Sequence, residues 1–67
     1  MKASELTKRE QQVLALLADG LAHDEIAERL GIGSETVRTH IRKASGRLGA
    51  STRTQAVAIA LRQGLIS

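Results

Sequence analysis

Sixty-seven residues with no Cys, no Pro and no aromatic side chain make at most one small domain, its core built from Leu, Ile, Val and Ala. A chain this short buries only about 60% of its unfolded surface, so its elements must pack closely or find a partner. The absence of Cys excludes disulfides and thiolate metal sites, no apolar run approaches the roughly 20 residues that span a bilayer, and Met1–Ser4 carries no signal-peptide apolar segment, so a soluble cytoplasmic chain is expected.

The net charge of +3 conceals an asymmetry. All seven acids lie in residues 1–35, whereas residues 36–67 hold six Lys or Arg and no acid. Such a split points to a polyanionic partner for the second half, against the plainer reading of a solvated basic surface. Where the charges fall on the elements decides between the two.

The first element opens at Thr7, where Thr7-Lys8-Arg9-Glu10 fits a capping box and Leu6 is placed to staple onto the first turn. Val13, Leu14, Leu16, Leu17 and Ala18 supply its apolar face and Gly20 its stop, predicting a helix over 8–19. A short helix over 23–30 follows, with Ile26, Ala27 and Leu30 inward and Asp24 and Glu25 complementing the dipole of its first turn. Asp24, Glu25 and Glu28 are therefore read as capping and solvating carboxylates, not catalytic ones. Gly31-Ile32-Gly33 then makes a three-residue turn, with Gly31 ending one helix and Ile32 plugging the space between two. Short helix, tight turn and longer helix form a helix-turn-helix pattern.

The third helix, 34–48, is the most informative. Val37, Ile41, Ala44 and Leu48 recur at i, i+4, i+7 and i+11 as one apolar stripe. Glu35, Arg38, Thr39 and Arg42 occupy the opposite side. At about 22 Å the helix is long enough to lie along a major groove, and its basic outer face makes it a candidate DNA-reading helix. Gly46 near its end is expected to loosen the last turn before Gly49. Thr52-Arg53-Thr54-Gln55 matches a second capping box and opens a helix over 53–63, stopped by Gly64. Ala56, Val57 and Ala60 face the core, leaving Thr54, Ala58 and Leu61 on a second weakly polar face that suggests a homodimer interface. The fold class expected is all-α: a four-helix bundle containing a helix-turn-helix, as one domain over 1–67.

In order along the chain stand Leu6-Thr7-x-Arg9-Glu10, Val13-Leu14, Gly20, Glu25-Ile26-Ala27, Leu30-Gly31-Ile32, Thr36-Val37-Arg38, His40-Ile41, Arg47-Leu48-Gly49, Arg53-x-Gln55-Ala56-Val57, Ala60 and Gly64-Leu65-Ile66. Together they resemble the LuxR/FixJ-type, or GerE-type, helix-turn-helix domain of bacterial transcription regulators. The resemblance implies four helices, the third in the major groove of double-stranded DNA and the fourth pairing the domain with its twin. It points to Arg38, Thr39 and Arg42 as base readers, Arg through its bidentate fork and Thr39 through a methyl or a hydroxyl. Ser34, Thr36, Lys43, Arg47 and Arg53 are the phosphate set. Glu35 is read as an acid suited to the helix's first turn, with a cytosine amino group as its alternative partner.

Four positions depart from the family pattern: Ala22 and Gly33 replace capping hydroxyls, Ala44 replaces a large aliphatic residue, and Gly46 replaces a longer helix former. The family usually joins this domain to a receiver or ligand-sensing domain, so the chain is either an excised effector domain or a stand-alone regulator. His40 is read as a packing residue. His23 and His40, seventeen positions apart with no Cys, are not expected to hold a metal. Neither a catalytic constellation nor a cofactor site is expected. The rival readings are the promoter-binding fourth region of sigma factors, which residues 6–48 also resemble, and a helical protein–protein interaction module; an enzyme comes third.

Overall fold

The computed structural model describes residues 6–67, so the reading of Met1–Ser4 lies outside it. Within that span the chain is all-α, with four helices and no strand: α1 Lys8–Ala18, α2 His23–Leu30, α3 Ser34–Leu48 and α4 Arg53–Arg62. α1 and α4 each end one residue earlier than expected, at Asp19 and Gln63, which act as caps whose amides still bond into the last turn.

Thr7 caps α1 as the sequence suggests: its hydroxyl accepts from the Glu10 amide at 3.0 Å, and the Glu10 carboxylate accepts from the Thr7 amide at 3.1 Å. The second box is only half formed. Thr52 accepts from the Gln55 amide at 3.0 Å, but the Gln55 side chain reaches one residue further back, to the Ser51 amide. At α2, where Ala22 has no acceptor, Glu25 supplies the reciprocal half alone, taking the Ala22 amide at 2.7 Å. Gly33 caps α3 with no side-chain bond.

The stop at Gly31 is what turns the chain between α2 and α3. Gly31 adopts φ 70°, a left-handed conformation that only glycine enters without strain, and the Ile32 amide then reaches back to the Ala27 carbonyl at 3.0 Å. α1, α3 and α4 end with the same backward bond, made by Leu21, Ala50 and Leu65. In each case the residue after the glycine is apolar and half-buried, so every stop also pins the chain to the core.

The interior has two parts. Val13, Ile26, Ala27, Val37 and Ile41 knit α1, α2 and α3 together, with Ile32 packed against them as expected. Leu6, Leu14, Ala44, Ala56, Ala60 and Ile66 join α1, α3 and α4. α3 packs on all three other helices, while α2 and α4 do not pack on each other. Leu6 is buried in the second cluster, which includes Leu14 of α1, and the residue one turn in, Gln11, is polar. Ala44 is fully buried beside Ala56 and Ala60, so small residues line the α3–α4 contact. The expected loosening at Gly46 is absent, and α3 runs unbroken to Leu48.

Candidate nucleic-acid interface

α3 is aimed from both sides. Its buried stripe of Val37, Ile41 and Ala44 fixes its rotation about its own axis. At its start the Ser34 hydroxyl donates to Asp24 in the first turn of α2 at 2.7 Å, tying the two helices of the motif together beyond their turn. With the stripe inward, Thr36, Arg38, Arg42 and Lys43 are exposed and Thr39 is half-buried at the edge.

The three proposed base readers differ in how firmly they are held. Arg38 pairs with Glu35 at 3.0 Å, an i,i+3 ion pair whose side chains are 55% and 82% exposed. Such a pair is worth no more than about 0.5 kcal/mol, so the guanidinium is readily given up to another anion. The Thr39 hydroxyl donates to the Glu35 carbonyl at 3.0 Å. Arg42 has no hydrogen-bond or ion-pair partner among the described residues. Glu35 thus serves its neighbours on α3 with both its carboxylate and its carbonyl.

The five phosphate candidates do not form one group. Lys43 and Thr36 stand exposed on α3, without a partner among the described residues. The Ser34 hydroxyl gives its single proton to Asp24. Arg53, the first residue of α4, meets His23, the first residue of α2, at 2.7 Å, its long side chain spanning two helices that do not otherwise pack. Arg47 points elsewhere, pairing at 2.7 Å with Glu10, a carboxylate only 2% exposed. That pair lies at the opposite end of α1 from the Arg53–His23 contact, and it gives Arg47 a structural task that sequence reasoning did not foresee. The basic half of the chain is therefore less uncompensated than its composition implies.

Arg38 and Arg53 come together at the rim of an open groove of about 380 Å³, with His23 and Asp24 beside them and Leu17 and Leu21 at its apolar side. The N-terminus of α2 opens into this groove, and Ala22 puts no capping side chain over it. Two guanidiniums beside a helix N-terminus can receive an anion such as a phosphate. The neutral form of His23 is favoured here. Burial lowers its pKa from the ordinary 6.5, the Arg53 and Arg38 charges lower it further, and Asp24 opposes them. A neutral imidazole is also what the geometry requires, since Nε2 can accept from Arg53 only without a proton. Neither His23 nor Asp24 stood out in the sequence as a site residue, because their partners are 30 and 10 positions away.

The dimer candidates are accessible in part. Thr54 is exposed, Ala58 half-buried, and Leu61, 47% exposed, is the only exposed large hydrophobic among the described residues. His40 is half-buried, in keeping with a packing position. No described helix is long and apolar enough to cross a membrane.

Comparison with known proteins agrees with this geometry. The family model for bacterial regulatory proteins of the luxR family matches residues 4–60, reaching through α3 into α4. The transcriptional regulatory proteins YxjL and LiaR of Bacillus subtilis (strain 168) are 42% identical over 64 residues and 45% identical over 62. Those matches take in 96% and 92% of this chain but only 29% of either relative, so the chain spans under a third of their length. The solved structure of the transcription factor GerE superimposes with a TM-score of 0.90 at 36% identity, covering all of this chain and 97% of GerE. The chain belongs to the luxR family of bacterial regulatory proteins and is a helix-turn-helix domain of that family.

Proposed function

We propose that this chain is the DNA-binding effector domain of a bacterial cytoplasmic transcription regulator, laying α3 in the major groove and pairing through α4 into a homodimer over two half-sites. The observation that carries the reading is the outward face of α3, where Arg38 and Arg42 stand one turn apart on a helix aimed by the Gly31 turn and the Ser34–Asp24 bond. Arg38, Thr39 and Arg42 read base edges. Lys43 and Arg53 neutralise phosphates, Thr36 hydrogen-bonds one, and the three set the register, while Thr54, Ala58 and Leu61 form the dimer face. Ser34 and Arg47 join the phosphate set only by loosening their bonds to Asp24 and Glu10. In the whole protein a receiver or ligand-sensing domain accompanies this one, which accords with the length of YxjL and LiaR. The sigma-factor alternative matches residues 6–48 alone and is disfavoured by the family match reaching residue 60.

Fluorescence anisotropy with duplex DNA across a salt series tests the reading. Affinity should decline steeply with salt, and sequence-dependent affinity should persist above the non-specific background. Arg38→Ala should cost about 1–3 kcal/mol on a preferred duplex and relax preference there. An equal loss on every duplex would remove Arg38 from base reading. No binding even at low salt would favour the protein–protein interaction module.

A further inference from the structure

Thr39 lies on the outer side of α3 next to Arg38, and its hydroxyl is already committed. Oγ1 donates to the Glu35 carbonyl one turn earlier at 3.0 Å. A threonine hydroxyl has a single proton. With that proton given to the helix backbone, the oxygen has nothing to donate to the purine N7 and O6 or thymine O4 acceptors of the major groove. The same bond selects the rotamer. Because Cβ is branched and its substituents occupy staggered wells, turning the oxygen back onto the preceding turn also fixes the Cγ2 methyl. The Glu35 carbonyl has two lone pairs and can accept this bond beside the helical one. Arg38 does not compete for the Thr39 oxygen, being paired with the Glu35 carboxylate instead.

Resting on the placement of α3 in the major groove, we propose that Thr39 reads DNA through its methyl group and selects thymine by its C5 methyl, the one methyl that a base presents in that groove. Glu35 is then a positioning residue whose main-chain oxygen decides which half of Thr39 faces the base. A buried methyl contact of this kind corresponds to about a fourfold change in affinity.

The test uses the full chain and a duplex enriched by it from a randomised pool. Each thymine of that duplex is replaced in turn by deoxyuridine, which removes the C5 methyl and leaves every hydrogen-bonding group in place. At one position the unmutated chain should lose about fourfold in affinity by anisotropy. Thr39→Val, which keeps the methyl and drops the hydroxyl, should retain the preference for thymine there. Thr39→Ser, which keeps the hydroxyl and drops the methyl, should bind both duplexes equally, with helical circular dichroism unchanged in both variants. If no uracil substitution matters, or if Ser keeps the discrimination and Val loses it, the methyl reading is overturned while DNA binding stands. A pool from which no duplex is enriched overturns the placement of α3 on DNA, and this inference with it.

Discussion

Replacing Arg47 by Met removes the charge opposite Glu10 while keeping an apolar stem of similar length. Glu10 is 2% exposed and its Oε1 takes both the Thr7 amide at 3.1 Å and the Arg47 guanidinium at 2.7 Å. Breaking a buried pair by deleting one partner costs about 3–5 kcal/mol, because the other charge is left stranded. Here the Arg47 side chain is 39% exposed and the Thr7 bond remains, so the loss should fall at or just below that range, at about 2–3 kcal/mol. For a domain of this size, with about 3–10 kcal/mol of total stability, that is a large share. Glu10→Gln should be much milder, about 1 kcal/mol or less, since glutamine still completes the capping box and Arg47 can turn to water. Arg47→Met made in the Glu10→Gln background should likewise cost only about 1 kcal/mol, giving a coupling near 1.5 kcal/mol. Urea unfolding followed by helical circular dichroism measures all four corners of the cycle. A coupling near zero, or a loss below about 0.5 kcal/mol for Arg47→Met, would show that Arg47 does not hold Glu10.

Gly46 lies inside α3 with open space where a Cβ would go, so Gly46→Ala should raise stability by about 0.5–1 kcal/mol; an unchanged or lower urea midpoint would refute this. Leu61→Glu should weaken self-association in sedimentation while leaving helical content intact, and an unmutated chain that stays monomeric at high concentration would count against that face. By NMR the His23 imidazole should titrate below 6.5, and Arg53→Gln should move its midpoint upward. Because the fold favours the neutral ring, the stabilisation from His23 is complete above pH 6.5 and is lost as pH falls through the lowered midpoint, and His23→Gln should abolish that part of the acid sensitivity.

The helices were legible because each carries its own local signals. Thr7 and Glu10 announce the start of α1, Gly31 the end of α2, and the Val37–Ile41–Ala44 stripe both the existence of α3 and its inward face. The outward face followed by subtraction, which is why Arg38, Thr39 and Arg42 were readable as a group. What could not be read was pairing across distance. Glu10 and Arg47 are 37 positions apart, and nothing local distinguishes a capping glutamate at the surface from one that the fold also buries. The Arg53–His23 contact was hidden for the same reason, since it joins the first residues of two helices whose backbones do not touch. Leu6 was legible only as a local staple, whereas it is buried in a cluster that also draws on α3 and α4.

The division of the interior into two clusters has a kinetic consequence. α2 fastens itself with buried Ile26 and Ala27 and half-buried Leu30, and α4 with the buried methyls of Ala56 and Ala60 and half-buried Val57. Burial energy scales with apolar area, so α4 is the more lightly moored of the two. Its amides should exchange with solvent through smaller openings than those of α2 and the buried side of α3, as native-state hydrogen exchange would reveal. α4 should then lift and re-seat without melting the Gly31 turn that aims α3, and a change of residue on its outer face should leave that turn in place.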